Sequence, residues 1–377
     1  MIFSVFSIII FAVYIVLIIS ITIGWRKLKA FKSADILPVT KVSVIVAVRN
    51  EALNMGTLLD NLLHQDYSPH LYEIIIVDDH STDQTSLLVN EIIEQQTDTN
   101  RLKLITLGES DGSGKKNAIS QGIQASNGEL IVITDADCTS GKQWISTLAA
   151  YYGRLEPQMI LGPVRMTDGG SFFGKLQSLE FVSLISSAAG SCGSGFPLLA
   201  NGANIAFTRK AFDSSGGFAS NIHYPSGDDI FLLMSIKKKF GAGAIRFLRS
   251  DLAIVNTPAV KGLKPFIQQR LRWVSKSRGY TDPMLIGTSL VVFFTNVLLL
   301  TSAILAILFP GYRALFFVLY LSKLAVDFPL MFSFSSFQQS RRLLWLFPIM
   351  EMLNAGYTFF IGIAGNFGKY EWKGRNT

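Results

Sequence analysis

Cysteine is scarce in this sequence of 377 residues, which contains only Cys138 and Cys192. Two cysteines exclude a disulfide scaffold and a zinc site built from four cysteine ligands. Charged residues are also scarce, at 16% of the chain, whereas soluble domains carry about 25%. The whole chain is therefore unlike a simple soluble enzyme. Its 49% content of hydrophobic residues is enough for a core and excludes a disordered chain.

The sequence contains four long apolar runs with few or no charged residues. The first 25 residues contain no charged side chain, and three further runs close the chain: about Leu285 to Phe309, Ala314 to Phe334 and Leu343 to Ala364. About 20 apolar residues span the hydrocarbon core of a bilayer. Basic residues follow the first run instead of preceding it, which favours an uncleaved anchor over a signal peptide. We expect a transmembrane helix at 1–25, a middle domain at 26–280, and about three transmembrane or re-entrant helices with a short basic tail at 281–377.

The formal net charge of +7 is concentrated beside these runs. Arg26 to Lys41 carries a net +4, and Lys261 to Arg278 carries +6 with no acidic residue. A basic collar next to a membrane explains this charge without any nucleic-acid partner. By the positive-inside rule, the collar predicts an integral protein of the cell (inner) membrane whose middle domain faces the cytoplasm.

The charged residues within and after the closing runs raise two questions, one about the topology of these runs and one about the role of an ion pair. If all three runs crossed the membrane, Lys369, Lys373 and Arg375 would lie on the outer side, against the positive-inside rule. One run is then expected to be re-entrant or interfacial. Lys323 and Asp327 stand four apart on one predicted helix face and predict an ion pair. That pair is either structural or part of a lipid-acceptor site.

Strands and helices alternate through the middle domain. Buried strands are predicted at 42–48, 73–77, 102–106 and 130–134, with helices at 53–64, 84–95 and 115–125. This alternation predicts a mostly parallel, doubly wound α/β sheet. Ligands bind beyond the carboxyl ends of the strands in such sheets, so the polar residues directly after each strand are the candidate site residues.

Two common nucleotide-binding motifs are absent. No glycine fingerprint follows the first predicted strand, which counts against a dinucleotide-binding oxidoreductase. The segment Gly112 to Lys116 resembles a phosphate loop but fails its spacing. Glu109 stands where the first glycine is required, and Lys116 stands where serine or threonine is required. This departure from the motif counts against a phosphate-loop nucleotidase.

Pairs of carboxylates stand at two of the candidate positions and at one further place in the chain. Asp135 and Asp137 follow the fourth strand and suit Mg²⁺ or Mn²⁺, although capping of the next helix is the ordinary interpretation. Asp78 and Asp79 follow the second strand. Asp228 and Asp229 precede an apolar run, where one of them can act as a base or simply favour a helix N-terminus.

The basic collar contains the segment Gln269-Arg270-Leu271-Arg272-Trp273. Two arginines and an indole can clamp a diphosphate and stack on a sugar ring. The alternative is a basic interfacial helix of the kind found at membrane edges.

Taken in order, these segments resemble the membrane-bound inverting glycosyltransferases of family 2, which have a GT-A nucleotide-sugar fold. The matching segments are Val44–Glu51, Asp78–Asp83, Asp135-Ala136-Asp137, Asn201–Asn204, Gly227-Asp228-Asp229 and Gln269-x-x-Arg272-Trp273. The resemblance implies a nucleotide-sugar donor, for which a UDP-sugar is favoured, and a Mg²⁺ or Mn²⁺ cofactor.

The resemblance also implies a role for each matching residue. Metal ligands would be Asp135 and Asp137, and Asp229 would be the catalytic base beside Asp228, which replaces the commoner glutamate. Trp273 would form the acceptor platform. The nucleotide-sugar contacts would be Asn50, Glu51, Asp78, Asp79, Lys116, Asp135, Gln269 and Arg272.

The expected activity is transfer of one sugar, of hexosyltransferase type, to a lipid or lipid-linked acceptor. The alternatives are a processive polysaccharide synthase and a non-catalytic membrane protein that retains the fold. The apolar stretch Phe172 to Ala188 is expected to be an interfacial helix followed by a mobile acceptor loop at 190–195, or else a buried core helix followed by a flexible turn.

Overall fold

The computed structural model describes residues 2–32, 38–96, 101–367, 371–372 and 375–376. The helices are α1 (Ile2–Lys27), α2 (Ala52–Leu63), α3 (Thr85–Gln95), α4 (Lys115–Ala125), α5 (Trp144–Leu155), α6 (Phe172–Gly193), α7 (Arg209–Ser214), α8 (Asp228–Phe240), α9 (Leu263–Ser275), α10 (Pro283–Leu308), α11 (Arg313–Phe337) and α12 (Phe347–Phe367). The strands are β1 (Val42–Val48), β2 (Tyr72–Asp78), β3 (Leu102–Thr106), β4 (Leu130–Ile133), β5 (Thr139–Ser140), β6 (Met159–Leu161), β7 (Val164–Thr167), β8 (Ile205–Thr208), β9 (Ile245–Phe247), β10 (Val255–Pro258), β11 (Glu371–Trp372) and β12 (Arg375–Asn376).

Seven strands form the central sheet, in the order β3-β2-β1-β4-β8-β6-β9. The four strands from β3 to β4 pair in parallel, whereas β8 runs antiparallel to both of its neighbours. The central strand β1 is rich in valine and buried on both faces, as expected where helices cover the two sides of a parallel sheet. The prediction of a mostly parallel α/β sheet is confirmed.

The register of the sheet brings the candidate loops to one edge. Val48 of β1 pairs with Asp78 of β2, and Ile45 of β1 pairs with Ile133 of β4. Because all three strands run in the same direction, the residues that follow them emerge side by side. The polar segments after β1, β2 and β4 therefore share one end of the sheet.

Helix α6 packs tightly against α1. A Cβ atom at Gly190 would lie 2.3 Å from the carbonyl oxygen of Ile21, and one at Gly193 would lie 2.2 Å from that of Gly24. Small residues permit this close approach of two backbones. The expectation of a mobile loop from residue 190 onward is wrong, because the helix continues to Gly193 and its small residues form the contact with α1. The buried-helix alternative describes this segment.

Four described helices are long and apolar enough to cross a membrane: Ser7–Lys27, Pro283–Leu308, Pro310–Phe337 and Arg341–Gly365. They coincide with the four apolar runs. Ile307 and Val16 are at least two-thirds exposed, as expected for side chains that face lipid instead of a protein core.

Both flanks of α12 contact the α/β domain. Before the helix, the Gln338 side chain donates to the carbonyl oxygen of Val164 at 2.7 Å, and Arg342 lies 3.6 Å from Asp168. Near the other end, a Cβ atom at Gly365 would lie 2.7 Å from the side chain of Val274 in α9. The helix therefore begins and ends near the same domain. Of the tail residues, Lys369 and Lys373 lie outside the described residues.

Candidate active site

The loops after β1 and β2 are held together by side-chain hydrogen bonds. Asn50 has a positive φ of 52°, and its Oδ1 accepts from the Thr82 amide at 2.8 Å. Asp78 is 1% exposed and accepts from the Ser81 amide at 2.9 Å. These two predicted donor contacts therefore shape the loops, and neither lines the cavity described below.

Asp79 and Glu51 do line the cavity. The amide of Gly114 donates to Asp79 Oδ2 at 3.0 Å, and His80 Nδ1 lies 3.0 Å from Asp79 Oδ1. Asp79 thus ties the end of β2 to the N-terminus of α4, while its side chain stays at the cavity wall. Glu51 accepts from Asn54 Nδ2 at 2.5 Å.

Asp135, Asp137 and Cys138 form a group whose donor atoms all lie within 4.8 Å of one another. Burial raises the pKa of the Cys138 thiol well above its usual range, and Asp135 and Asp137 raise it further. The free thiol is therefore protonated at neutral pH. The two carboxylates supply hard oxygen donors, which fit Mg²⁺ or Mn²⁺ better than a soft metal.

Lys115 lies in the cavity instead of the predicted Lys116. Its Nζ is 2.6 Å from Asp135 Oδ1 and 3.2 Å from Asp228 Oδ2. Burial alone would lower the pKa of Lys115, but Asp135 and Asp228 outweigh it and raise the pKa. The ammonium therefore remains charged between two predicted functional carboxylates.

Lys116 points away from these carboxylates. Its Nζ donates to the carbonyl oxygens of Asn221 at 2.6 Å and Tyr224 at 3.0 Å, and burial lowers its pKa to about 8. The hydrophobic periodicity of α4 already indicates this orientation, because the buried Ile119 and Ile123 follow Lys116 by three and seven residues. Helical spacing thus puts Lys116 on the core face of α4.

Asp228 and Asp229 begin α8, where Gly227 has a φ of 87°. The Lys276 ammonium lies 3.1 Å from Asp229 Oδ1, and the Ile230 amide donates to the same oxygen at 2.7 Å. Burial raises the pKa of Asp229, but Lys276 and this amide outweigh it, so the net effect lowers the pKa. Asp229 is therefore ionised at neutral pH. Lys276 was not singled out as a site residue, although it belongs to the basic stretch at 261–278.

Helix α9 brings the predicted clamp to the cavity. Gln269, Arg270, Arg272 and Trp273 all line its wall. Arg270 is 1% exposed, and its guanidinium lies 2.6 Å from Glu180 Oε2 and 4.1 Å from the centre of the Trp273 ring. Arg270 therefore borders the cavity as the partner of Glu180 and packs against Trp273.

One cavity of about 930 Å³ joins these groups to the apolar helices. At one end its wall contains Asp135, Asp137 and Asp229, and at the other it contains Lys323 and Asp327 of α11. The strand edge therefore opens into the space between the long helices.

The sequence matches two families of glycosyltransferases. Residues 43–216 match Glycosyl transferase family 2, and residues 130–357, well over half of the chain, match Glycosyl transferase family group 2. Probable glycosyltransferase YdaM of Bacillus subtilis is 31% identical over 37% of this chain and 30% of its own. The beta-monoglucosyldiacylglycerol synthase of Synechocystis is 28% identical over 32% of this chain and 24% of its own. The chain thus spans less than a third of the length of these relatives.

The fold is also similar to that of a solved protein along almost its full length. The mannosyltransferase PcManGT of Pyrobaculum calidifontis, solved in complex with GDP-Man and Mn²⁺, superimposes with a TM-score of 0.60. The alignment covers 97% of this chain and 99% of that one, at 17% sequence identity. This likeness extends the shared fold to the long helices as well as the α/β domain.

Proposed function

The chain belongs to the family 2 glycosyltransferases, and on this premise we propose that it moves a hexose from a nucleotide-diphosphate sugar to a lipid or lipid-linked acceptor with inversion. The observation that carries the proposal is the single cavity shared by the carboxylates Asp135, Asp137 and Asp229 and by the long apolar helices. A donor at the strand edge and an acceptor that enters between the helices would meet in this space.

The donor would lie along the strand edge. Glu51 and Asp79 would contact the nucleoside, and Gln269 and Arg272 would contact the diphosphate, since all four line the cavity. Lys115, which lies at the cavity wall, would contact the donor in place of Lys116. Asn50 and Asp78 would act on the donor only through the loops that they hold.

Asp135 and Asp137 would hold a divalent cation against the diphosphate. A bound Mg²⁺ or Mn²⁺ would neutralise negative charge that develops on the leaving nucleoside diphosphate. Arg272 would stabilise the same charge from the other side of the cavity, and its planar fork can bind two phosphate oxygens at once.

Asp229 would remove the proton from the acceptor hydroxyl. Its carboxylate is already ionised, so it can accept this proton during an in-line attack on the anomeric carbon. A single displacement of this kind inverts the configuration of that carbon. Lys276, 3.1 Å away, would keep the base ionised and hold it in place.

Nucleoside diphosphate release tests the proposal directly. The purified protein in lipid nanodiscs would receive candidate nucleotide sugars with Mn²⁺ or Mg²⁺, and we expect release to depend on the metal. Asp229→Asn should lower turnover by about 10²–10⁴-fold, which is the usual contribution of a general base. The matched control Asp213→Asn changes an exposed carboxylate on α7 and should have no effect. Full turnover by Asp229→Asn would refute the assignment of the base.

Product length separates this proposal from the processive alternative. Transfer of one sugar yields a single glycolipid band on a gel, whereas a ladder of products would indicate polymer synthesis. Four candidate spans are few for a secretion channel, which supports single transfer.

We further propose that α12 is re-entrant and that the α/β domain and the C-terminal tail lie on the cytoplasmic side of the cell membrane. The contacts of Gln338, Arg342 and Gly365 with the α/β domain support this arrangement. It keeps the basic collar and Lys369, Lys373 and Arg375 on one side, in accord with the positive-inside rule. Cysteine labelling at residue 375 in sealed spheroplasts tests the proposal, because modification by an impermeant reagent from outside would contradict it.

A further inference from the structure

Two neighbouring lysines in the first turn of α4 face different partners. Lys115 lies at the cavity wall, whereas Lys116 is 4% exposed. The Lys116 ammonium donates to the carbonyl oxygens of Asn221 at 2.6 Å and Tyr224 at 3.0 Å. Both carbonyl groups belong to residues 219–229, which end at the proposed base Asp229 and which we call the base segment. Lys116 therefore ties α4 to the chain shortly before the base.

The same ammonium also contacts α8 on the other side of the base in the sequence. Its Nζ lies 4.4 Å from the centre of the Phe231 ring and 5.9 Å from the centre of the Tyr224 ring. The two rings stack on each other, with centroids 5.0 Å apart and 27° between their planes. An ammonium near an aromatic face is attracted by the ring quadrupole. Lys116 thus contacts the chain both before and after Asp229.

Phe231 in turn packs against the residues that begin α8. Its amide donates to the carbonyl oxygen of Gly227 at 3.0 Å. Gly227 has a φ of 87°, and a Cβ atom there would lie 2.8 Å from the Phe231 ring. Glycine permits both the positive φ and the close packing. The ring that Lys116 contacts is therefore in direct contact with the turn from which Asp228 and Asp229 reach the cavity.

The other two lysines near the base act on side chains. Lys276 lies 3.1 Å from the Asp229 carboxylate, and Lys115 lies 3.2 Å from that of Asp228. Burial opposes the charge on Lys115 and Lys276, but the nearby carboxylates outweigh it and raise the pKa of both. Burial lowers the pKa of Lys116 to about 8, although Asp228 and Asp229 raise it. Lys276 lowers it further. Of these three lysines, Lys116 is therefore the one that loses its charge just above neutral pH.

From its contacts on both sides of Asp229, we infer that Lys116 is a positioning residue for the base, which holds the base segment so that the Asp229 carboxylate meets the acceptor hydroxyl. This inference rests on the proposed function and adds a residue to its machinery. It also replaces the donor contact that the resemblance implied for Lys116. A displacement of about 1 Å in a reacting group can cost about 10²-fold in rate, so a residue without substrate contact can control turnover.

Turnover and donor affinity separate this role from donor binding. Lys116→Met keeps the apolar stem of the side chain and removes its charge and its hydrogen-bond donors. In lipid nanodiscs, kcat for nucleoside diphosphate release should fall about 10–10²-fold. Calorimetry with UDP or GDP and Mn²⁺ should give the affinity of the wild type. The matched control Lys238→Met changes an exposed lysine on α8 and should alter neither quantity. A parallel loss of turnover and nucleotide affinity would overturn the inference.

The pH profile distinguishes the charge of Lys116 from its bulk. Hydrogen bonds from an ammonium are about twice as strong as those from a neutral donor, so the hold on the base segment weakens when Lys116 loses its proton. The wild-type kcat should therefore fall above a pH of about 8, and Lys116→Met should lack this fall. Lys116→Gln retains an amide donor without the charge and should also have a low kcat with no alkaline fall. It keeps the test open if Lys116→Met does not fold.

Hydrogen exchange tests the positioning without any sugar transfer. In Lys116→Met, the amides of the base segment should exchange at least about tenfold faster than in the wild type, because a buried charged anchor is lost. The amides of β1, β2 and β4 should exchange as before, and Lys238→Met should alter neither set. Faster exchange throughout the α/β domain would indicate a general loss of structure and would contradict a specific role.

Unchanged kcat and exchange in folded Lys116→Met would also overturn the inference, as would an alkaline fall in kcat that this variant retains. The failure of the proposed function has a different signature. If the wild type releases no nucleoside diphosphate while Lys116→Met still loosens the base segment, the proposed glycosyl transfer is wrong and the hold of Lys116 on this segment stands. If release occurs and Lys116→Met changes neither kcat nor exchange, only the inference about Lys116 is wrong.

Discussion

The two ends of the cavity both place lysine ammonium groups among carboxylates, but in different surroundings. At the strand edge, Lys115 and Lys276 accompany Asp135, Asp137, Asp228 and Asp229. Between the long helices, Lys323 of α11 accompanies Asp327 and Glu351. The strand edge thus has four of these carboxylates for two lysines, and the group between the long helices has two carboxylates for one lysine.

This difference teaches how each end keeps its charged groups. At the strand edge, carboxylates outnumber lysines at the wall of a cavity, an arrangement that suits a divalent cation. Between the long helices, Lys323 pairs with buried carboxylates, which would be costly to bury without a partner. Under the proposed function, the same residue types thus form a ligand site at one end and a buried ion pair at the other.

The largest expected effect comes from removal of Lys323 between the long helices. Lys323→Met leaves two buried carboxylates without their lysine and should destabilise the protein by about 3–5 kcal/mol. Thermal unfolding in nanodiscs measures the loss. Replacement of Lys323, Asp327 and Glu351 together by Met, Leu and Met should restore most of it. An unchanged melting temperature in Lys323→Met would mean that these three side chains are not ionised.

At the strand edge, the matching experiment removes one carboxylate. Asp137→Asn should lower turnover by about 10²–10³-fold, because a metal-held charge contributes several kcal/mol to the transition state. The Mn²⁺ concentration needed for half-maximal nucleoside diphosphate release should rise as well. Asp251→Asn, an exposed carboxylate elsewhere, is the matched control. An unaltered Mn²⁺ dependence in Asp137→Asn would show that this carboxylate does not hold the metal.

Lys276→Met tests the electrostatics of the base. Activity requires ionised Asp229, so kcat/KM falls as the pH drops through the pKa of Asp229. Lys276 holds this pKa below its usual value, and burial opposes it. Without Lys276 the acid limb of the kcat/KM profile should move to higher pH by about one pH unit or more. Lys210→Met at the surface should leave the acid limb in place, and a fixed limb in Lys276→Met would contradict the account.

The smallest effect is expected at the surface pair that joins the two regions. Arg342 is largely exposed, with 80% of its side chain accessible, and lies 3.6 Å from Asp168. Arg342→Gln should cost under about 1 kcal/mol, as exposed ion pairs do, and should not alter turnover. A large loss of stability in this variant would mean that α12 depends on this pair for its position.

The sequence predicted the sheet better than it predicted the side chains at the sheet's edge. The bounds of β1, β3 and α4 agree with those expected, because buried strands and amphipathic helices have strong periodic patterns. Neighbouring residues of a helix project about 100° apart, so Lys115 and Lys116 lie on different faces of α4. A short sequence motif does not specify which of the two faces the cavity. The helical spacing between Lys116 and the buried Ile119 indicates that Lys116 lies on the core face, and this spacing would have favoured Lys115 as the site residue.

Long-range contacts explain the remaining errors. The small residues near 190 predict flexibility when they are considered alone, yet they form a tight helix contact because α1 packs against them. Lys276 approaches Asp229 from 47 residues away in the sequence. Only the folded chain brings such partners together, so composition and spacing could not identify them.

Transfer of a labelled sugar from a nucleotide sugar into the lipid extract of nanodiscs tests the central claim most directly. The account predicts one glycolipid product that requires Mn²⁺ or Mg²⁺, and whose yield Asp229→Asn lowers by about 10²–10⁴-fold while donor binding persists. Label that remains in a water-soluble product, or full transfer by Asp229→Asn, would contradict the account.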